Sequence, residues 1–513
     1  MIARTLIAAV ATVHLGAAIG GERAVSAGAG AANAAMRPDF PITNTDTNAH
    51  APPRLDAVPP TELSPVCDAE RLQQLQQQVA GSHKGLFYNN DFSYLDDPCY
   101  DGWHLGDRLK RHRLGTWGLV DVGGEYRLRY HGERNIRGLG LTGLDDDFLL
   151  QRWRVYGNVE LGEVVRVYAE MIDAQSNFER LPPRATEENR YDLLNLFADF
   201  RLLEGSRGEL WARVGRQELL YGAERLVSPL PWGNTRRNFE GYKVMWQGEN
   251  WDVDAFWVRP VAVQPRRFDA PVPSREFMGV YATSKMWEDR TIDWYYLRFL
   301  DTDRGLAPPA APLQFDTLGI RWDRQWGNWL AEAEAAVQWG AFGGAGHTAG
   351  MFTLGGGRRF PNARWKPVLW VYYDWASGDA VRGNGFHHLF PLGHRYLGWM
   401  DLFGRRNIQD VNFRLTLQPH DRVRLILWHH VFFLQRTDDV PYTVAMTPAV
   451  AAPGDSGYLG QELDLAMEWT MTPRTHLLLG YSHFFAGDFY RTNPTAPFSG
   501  DADFFYTQYT VQF

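Results

Sequence analysis

The stretch DADFFYTQYTVQF, residues 501–513, decides the fold of this chain. Its odd-numbered positions from Phe505 to Phe513 are largely apolar, whereas the positions between them include Gln508 and Gln512. Because successive side chains of a β-strand point to opposite faces, this pattern predicts a strand with one apolar face and one more polar face. The fold then depends on what each face meets.

The same alternation recurs over most of the chain. In LLQRWRVYGNVEL (149–161), for example, Arg152 and Arg154 alternate with Trp153 and Val155. Charged residues stand repeatedly at the centres of such strands, and Trp and Tyr stand near their ends. A soluble β-sandwich also alternates apolar and polar residues. The central charges and terminal aromatics favour a transmembrane barrel, in which apolar side chains face lipid and charged ones face the lumen.

We therefore predict an all-β fold, a transmembrane antiparallel β-barrel. Strand-like segments between turn-rich breaks number roughly 16 to 18, and because bacterial barrels take an even number we choose about 18. Closure of the sheet removes the strand edges that lipid does not tolerate. Apart from the N-terminus, no apolar run approaches the ~20 residues of a membrane-spanning helix, so helical insertion is excluded.

Composition limits the classes of partner. The net charge is -8 and the pI is about 6.0, which gives no support to nucleic-acid binding. Aromatic residues make up 14% of the chain, as expected if they form girdles at two membrane interfaces. One large aromatic core is the alternative explanation.

The chain divides into regions of different character. Its N-terminus resembles a secretory signal peptide, since Arg4 precedes an apolar stretch and small residues lead to a cleavage point after Ala27. A following stretch rich in Ala, Pro and Asn has too little apolar sequence for a core. The predicted regions are a signal peptide (1–27), a disordered linker (28–60), an N-terminal non-barrel segment (61–115) and the β-barrel (116–513).

The N-terminal segment contains the best helix candidate, AERLQQLQQQV (69–79). Leu, Gln, Glu and Arg are good helix formers, and no Gly or Pro interrupts them. The segment also contains both cysteines of the chain, Cys67 and Cys99. In an exported chain these can form a disulfide or remain two separate thiols, and the sequence leaves both open.

Two sets of motifs resemble known sequences. The terminal strand resembles the C-terminal signature of bacterial outer-membrane proteins, an aromatic last residue preceded by apolar residues at every second position, which assembly machinery recognises. The stretches RVGRQELLYGAERL (213–226) and RRNFEGYKV (236–244) resemble the alginate export family. LFPLGHRYLGWMDLFGRRN (389–407) and residues 457–489 are similar to motifs of its wider membership. The resemblance spans roughly residues 120–513.

That resemblance implies an outer-membrane barrel of about 18 strands, whose arginine-rich lumen passes an anionic polysaccharide, alginate-like polyuronate, outward by passive diffusion. Guanidinium groups pair with carboxylates through a planar fork, so inward-facing arginines suit a uronate chain. Each such residue can instead be half of an ion pair that only holds the wall. By strand parity the candidate lumen residues are Arg127, Arg129, Arg152, Arg154, Arg166, Glu170, Asp199, Arg201 and Arg213.

The expected partners are the anionic polysaccharide, outer-membrane lipid and the barrel-assembly machinery, with a periplasmic export scaffold as a further candidate. We expect no nucleic-acid partner, no cofactor, no metal site and no catalytic residue, and hence no enzyme. The expected location is a Gram-negative-type outer membrane. Two alternatives stay open: a general or anion-uptake porin with the same barrel, and a secreted β-rich carbohydrate-binding protein or hydrolase.

Three motifs are set aside. GLGLTG (138–143) fits a nucleotide-binding pattern, but no βαβ unit surrounds it, which indicates a hairpin turn. GDSG (454–457) lies in a Pro- and Gly-rich loop without the His and Asp partners of a serine protease. His387, His388 and His394 are expected to be polar loop residues rather than metal ligands.

Two features depart from a plainly cationic lumen. Asp252, Asp254 and the acids of QELDLAMEWT (461–470) predict a lumen of mixed charge. Arg216 falls on the apolar parity of its strand, so a bulge or the end of the strand must account for it.

Overall fold

A computed structural model of the chain describes residues 67–303 and 312–513. The predicted signal peptide, its cleavage point after Ala27 and the linker 28–60 lie outside these residues. Residues 61–66 of the predicted N-terminal segment lie outside them as well.

The described residues form a closed antiparallel β-barrel, which confirms the predicted fold class. They contain twenty strands, of which eighteen form the wall while the short strands β1 (His112–Leu114) and β9 (Ala270–Pro271) lie beside it. Each wall strand pairs with its neighbours in sequence, and the last pairs with the first. The wall strands are β2 (Gly118–Arg134), β3 (Asp146–Leu161), β4 (Val165–Asn177), β5 (Asn189–Gly205), β6 (Gly208–Gln217), β7 (Phe239–Gly248), β8 (Trp251–Ala262), β10 (Arg275–Ser284), β11 (Arg290–Asp301), β12 (Leu313–Trp326), β13 (Trp329–Phe342), β14 (Ala345–Arg359), β15 (Val368–Ala376), β16 (Ile408–His420), β17 (Val423–Phe433), β18 (Tyr458–Thr472), β19 (Thr475–Ala486) and β20 (Ala502–Gln512).

Side chains alternate across the wall as the sequence predicts. In β3, Arg152 and Arg154 are buried inside the barrel, whereas Trp153 and Val155 on the outer face are 45% and 43% exposed. This inverts the rule for soluble proteins, because the outer face of a membrane barrel meets lipid. Apolar residues on the outer face of other strands include Val167, Leu196, Leu318, Val337, Leu354 and Leu465.

The barrel closes at a seam between β20 and β2. Thr507 lies opposite Tyr130 in this register, and beyond the strand Phe513 exchanges two backbone hydrogen bonds with Gly124, of 2.8 and 3.0 Å. A Cβ atom at Gly124 would lie 2.2 Å from the carbonyl oxygen of Arg154 and 2.8 Å from the Phe513 ring, so this position requires glycine. The terminal strand is thus the closing strand, with its odd positions outward, as predicted.

The two ends of the barrel differ in their connections. We call the end with connections such as 162–164, 206–207 and 327–328 the turn end. The opposite end, which we call the loop end, carries connections such as 218–238 and 377–407. A short helix, α2 (Asp488–Thr492), lies in another loop-end connection.

Residues 67–111, which we call the plug, pack inside the turn end of the barrel. Helix α1 (Ala69–Ala80) begins after Asp68, whose side chain accepts a hydrogen bond from the backbone N–H of Arg71 at 2.8 Å. The predicted helix is therefore confirmed. Single helical turns follow, and a disulfide joins Cys67 to Cys99, which resolves the alternative left open by the sequence.

The plug packs through an aromatic cluster shared with the wall. Leu75 and Val79 of α1 are buried, and Tyr88 of the plug lies in one cluster with Tyr168 and Phe197 of β4 and β5. The plug therefore shares its hydrophobic core with the inner wall. No helix in the described part of the chain is long and apolar enough to cross a membrane.

Candidate functional site

Eight of the nine candidate lumen residues are buried on the inner face of the wall. They stand on β2 to β6, which are neighbours, so period-two alternation brings their side chains together. Arg201 stands nearer the turn end of β5 and pairs there with Glu163 and Glu204, each at 3.1 Å. The eight buried residues are Arg127, Arg129, Arg152, Arg154, Arg166, Glu170, Asp199 and Arg213.

Two of the arginines pair with acids of adjacent strands. Arg152 Nη2 lies 2.7 Å from Glu125 Oε1 of β2, and Arg154 Nε lies 2.6 Å from Glu170 Oε1 of β4. Glu170 accepts a further hydrogen bond of 2.9 Å from the hydroxyl of Tyr168. A buried ion pair repays its desolvation cost only with such geometry and added hydrogen bonds. These two arginines are therefore structural in the observed state.

Asp199 of β5 holds two arginines at once. Arg213 donates to its Oδ1 and Oδ2 at 2.7 and 2.9 Å, and Arg166 Nη2 lies 2.9 Å from Oδ2. All three side chains are almost completely buried. Asp199 is therefore the carboxylate that two buried cations share.

Arg127 and Arg129 of β2 have no carboxylate partner in the part of the chain that the structure describes. Arg127 donates to the carbonyl oxygens of Pro231 and Gly233, at 3.0 Å each. The Cζ atom of Arg129 lies 3.7 Å from the ring centroid of Trp232. The loop between β6 and β7 therefore occupies the two guanidinium groups that a carboxylate ligand would pair with most strongly.

Two long connections fill the loop end. Trp232 of the connection 218–238 stacks on His394 of the connection 377–407, with ring centroids 3.7 Å apart and an angle of 11° between the planes. His394 Nδ1 lies 3.2 Å from Asp401 Oδ2. The two loops thus pack on one another inside the barrel rather than standing apart from its mouth.

The loop histidines do not form a metal site. Among residues 67–303 and 312–513, no group of three His, Cys, Asp or Glu side chains is arranged to hold a metal ion. Burial lowers the pKa of His387 and of His388 well below the usual range. Both are therefore neutral residues of the loop core at physiological pH.

The tip of the plug reaches the arginines from the turn end. The backbone carbonyl of Tyr88 accepts a hydrogen bond of 2.8 Å from Arg166, and its hydroxyl donates one of 2.9 Å to the carbonyl of Glu218. The Cζ atom of Arg154 lies 3.7 Å from the centroid of the Phe87 ring. Burial raises the pKa of Tyr88, so this hydroxyl stays a donor. The lumen is therefore occupied from both ends, and plug and loop meet in the middle.

A second set of contacts holds the plug near the turn end. Arg474 donates to the carbonyl of Val79 at 3.2 Å, to Ser82 Oγ at 2.8 Å and to the hydroxyl of Tyr94 at 2.6 Å. The Lys110 ammonium group donates to a carbonyl of β2 at 2.6 Å. Burial lowers the pKa of Lys110 to about 8. The plug is thus fixed by polar contacts as well as by its aromatic core.

Sequence reasoning missed the plug and its contacts. Neither Tyr88 nor Arg474 stood out, because their partners lie more than a hundred residues away in the chain. The only signal was the aromatic density of KGLFYNNDFSY (84–94), which is unusual for a segment outside the wall. Aromatic side chains are stabilised when they leave water, and those of this segment leave it by entering the lumen.

Acids on strands beyond β2 to β6 also face the interior. Asp254 lies 3.3 Å from the ammonium group of Lys243, and His430 lies between Asp410 at 2.8 Å and Asp464 at 3.8 Å. The acids noted in β8 and β18 thus face inward and give the interior a mixed charge.

Arg216 is the next-to-last residue of β6. It pairs with Glu240 at 3.2 Å and with Asp192 at 3.3 Å. Its position at the loop end of the strand therefore accounts for a charged residue on apolar parity.

A cavity of about 400 Å³ opens at the turn end. Arg166 and Arg201 line it together with Glu160, Glu209 and Trp211. It therefore brings Arg201 and Arg166, two of the candidate residues, to one space that a ligand can reach.

The sequence profile described as Alginate export matches residues 119–498, which include most of the wall. The chain belongs to the alginate export family. This membership confirms the resemblance inferred from the motifs, and it agrees with the expectation that the chain is not an enzyme. No curated protein matches the sequence of this family member.

Several solved structures resemble this alginate export family barrel. OccAB1 of Acinetobacter baumannii is 10% identical, with 77% of this chain and 96% of that chain covered and a TM-score of 0.54. OccK8 (OprE) of Pseudomonas aeruginosa is also 10% identical, with coverage of 77% and 98% and a TM-score of 0.52. OccD3 (OpdP) of Pseudomonas aeruginosa, 10% identical, has coverage of 76% and 91% and a TM-score of 0.51. At these identities the likeness concerns the outer-membrane barrel fold alone.

Proposed function

We propose that this barrel passes an anionic polysaccharide, an alginate-like polyuronate, outward across the outer membrane by passive diffusion. Membership in the alginate export family supports a polysaccharide as the substrate. Arg127 and Arg129 carry the anionic part of the proposal, because both are buried and neither pairs with a carboxylate among the described residues. A uronate carboxylate would supply the partner that each lacks.

The proposed mechanism is a sequence of weak anion sites. Guanidinium groups bind a carboxylate through two parallel hydrogen bonds. Inward acids such as Glu125 and Asp254 compete for these groups and keep each contact weak enough for the polymer to leave, as conduction requires. The remaining candidate residues extend this path: Arg152, Arg154, Arg166, Glu170, Asp199, Arg201 and Arg213.

Planar-bilayer recording of the full-length protein tests this function. We expect anion selectivity from the reversal potential in a salt gradient, and block of the open channel by added polyuronate. Arg129→Glu should weaken both. Arg266→Glu is the matched control, since its side chain is 85% exposed and lies away from the inner wall. Cation selectivity of the unmodified protein without block by polyuronate would contradict the proposal.

The same recordings separate the alternatives. Selectivity for small anions without block by polyuronate would favour an anion-uptake porin. A freely soluble periplasmic product in cell fractionation would favour the secreted β-rich protein instead. Export by a signal peptide and insertion by the barrel-assembly machinery belong to the proposed function, and recovery in the outer membrane with heat-modifiable gel mobility is the expected result.

A further inference from the structure

We propose that the tip of the plug, residues 85–90, occupies a binding site for one anionic sugar unit on the inner wall, and that this unit displaces the tip. The inference rests on the proposed function and adds the position of one site and its regulation. The wall side of this site, which we call the tip site, consists of Arg154, Arg166, Arg213, Tyr168 and Phe197.

Oxygen atoms of the tip take the place of ligand oxygens. The carbonyl of Tyr88 accepts from Arg166 at 2.8 Å, and the carbonyl of Gly85 accepts from Arg236 at 3.2 Å. Both acceptors are neutral amides. A carboxylate can bind a guanidinium group through two parallel hydrogen bonds, which a single amide carbonyl cannot. A uronate carboxylate is therefore a better partner for these arginines than the tip itself.

The tip also presents a flat ring where a sugar ring would lie. The ring of Tyr88 meets Tyr168 and Phe197 edge-on, with centroids 5.7 and 5.2 Å apart. Tyr168 and Phe197 stack on each other at 5.2 Å with 21° between their planes. Aromatic rings supply a large apolar surface, and tyrosine adds a polar hydroxyl. Together they form an apolar wall beside the arginines, which suits a pyranose ring.

The tip brings no charge to the arginines that it contacts. The tip sequence GLFYNN (85–90) contains no charged residue. Arg166 donates to the carbonyl of Tyr88, and the Cζ atom of Arg213 lies 4.5 Å from the centroid of the Tyr88 ring. A bound anion would therefore place a negative charge where the tip places neutral groups.

Displacement of the tip would loosen the loop end as well. The hydroxyl of Tyr88 donates to the carbonyl of Glu218, and Arg236 binds both Glu218 and the tip. Glu218 and Arg236 lie near the two ends of the β6–β7 connection. Carbonyl groups of this connection also accept hydrogen bonds from Arg127. Binding at the tip site therefore releases contacts of both elements that fill the lumen.

Isothermal titration of the full-length protein in detergent tests the tip site. The probes are a mannuronate trisaccharide and the neutral mannose trisaccharide of equal length. The tip competes with the probe for the site, so seating of the tip lowers the apparent affinity for the probe. The double variant Phe87→Ala with Tyr88→Ala should therefore bind the uronate probe at least about tenfold more tightly. Adding Arg213→Gln should remove this gain. Trp103→Ala, 63% exposed on the same segment, is the matched control and should change nothing.

Hydrogen exchange provides a second test that needs no substitution. In the unmodified protein, saturating uronate trisaccharide should raise the exchange of backbone amides in residues 85–90, and the neutral probe should not. Unchanged exchange there, or equal uronate affinity of the double variant and the unmodified protein, would overturn the proposal. If the channel is nevertheless anion-selective and blocked by polyuronate, the proposed function stands while the tip site fails. If no variant distinguishes the two probes and polyuronate does not block the channel, the tip site and the proposed function both fail.

Discussion

At the scale of single residues, the inner wall depends on acids that hold more than one cation. Asp199 pairs with both Arg166 and Arg213, and all three side chains are buried. Removing its charge leaves two buried guanidinium groups with no anion between them. The cost of an uncompensated buried charge is much larger than the net gain from forming the pair.

Asp199→Asn should therefore destabilise the barrel strongly. We expect a loss of about 3 to 5 kcal/mol in the free energy of unfolding, as for other broken buried pairs. Urea titration of protein folded into lipid vesicles measures it. Glu163→Gln is the control, because its side chain is 51% exposed where it pairs with Arg201, and an exposed pair contributes less than about 1 kcal/mol. Equal stability of the two variants would count against this role of Asp199.

His83 should make the seating of the plug sensitive to acid. Burial lowers its pKa well below 6.5, and the charges of Arg474 and Lys110 lower it further. In the undocked plug His83 binds a proton near pH 6.5, whereas in the docked plug it stays neutral. The undocked form thus holds more protons below this pH, and the stabilisation present above pH 6.5 is lost as the pH falls.

Limited proteolysis of the plug measures this effect. We expect faster cleavage within residues 67–111 at pH 5 than at pH 7.5. His83→Gln, which does not titrate, should lose most of the difference. If acid accelerates cleavage equally in the unmodified protein and in His83→Gln, titratable groups other than His83 are responsible.

The inner-wall arginines show which properties of a single residue can be predicted from the sequence. Alternation along 149–161 predicts that Arg152 and Arg154 face inward, because strand geometry alone decides the face. It does not predict their partners, since Glu125 and Glu170 become neighbours only through the register of β2, β3 and β4. The contacts with the plug depend on residues still farther away in the chain.

At the scale of elements, the plug combines local order with distant anchorage. Helix α1 was predictable because its residues favour a helix by themselves. Its place inside the barrel was not, because that depends on contacts such as Arg474 with Tyr94, which no local pattern encodes. Cys67 and Cys99 tie the start of this segment to its middle.

Removing the disulfide should loosen the plug. Cys67→Ser with Cys99→Ser opens a loop with a sequence separation of 32, and the released chain entropy should favour the undocked state by about 4 kcal/mol. Hydrogen exchange of the amides of α1 should become faster. Reductant should produce the same change in the unmodified protein and none in the double variant. Exchange of α1 that stays equal in all samples would contradict this expectation.

At the scale of the whole molecule, closure depends on one seam. Eighteen strands enclose the lumen only if β20 pairs with both β19 and β2. The fold class followed from alternation repeated in strand after strand. The filling of the lumen did not follow, because loops and plug lack the periodicity from which their positions could be deduced.

A proline in the seam should prevent closure. Thr507 pairs with Leu479 on one side and with Tyr130 on the other. Thr507→Pro removes a backbone donor from a strand that has neighbours on both sides, where proline is not tolerated. We expect loss of the heat-modifiable folded band on gels. Thr507→Val, which keeps the β-branched shape and the backbone N–H, should retain it, and a folded band in the proline variant would contradict the importance of the seam.

Phe513 touches more than the strand it closes against. It pairs with Gly124 of β2, and Gly106 of the plug, with φ of +87°, approaches it so closely that a Cβ atom there would lie 2.2 Å from its carbonyl carbon. Phe513 thus lies between β2 of the wall and the plug. Its backbone therefore joins the closing seam of the barrel to the segment that fills the lumen.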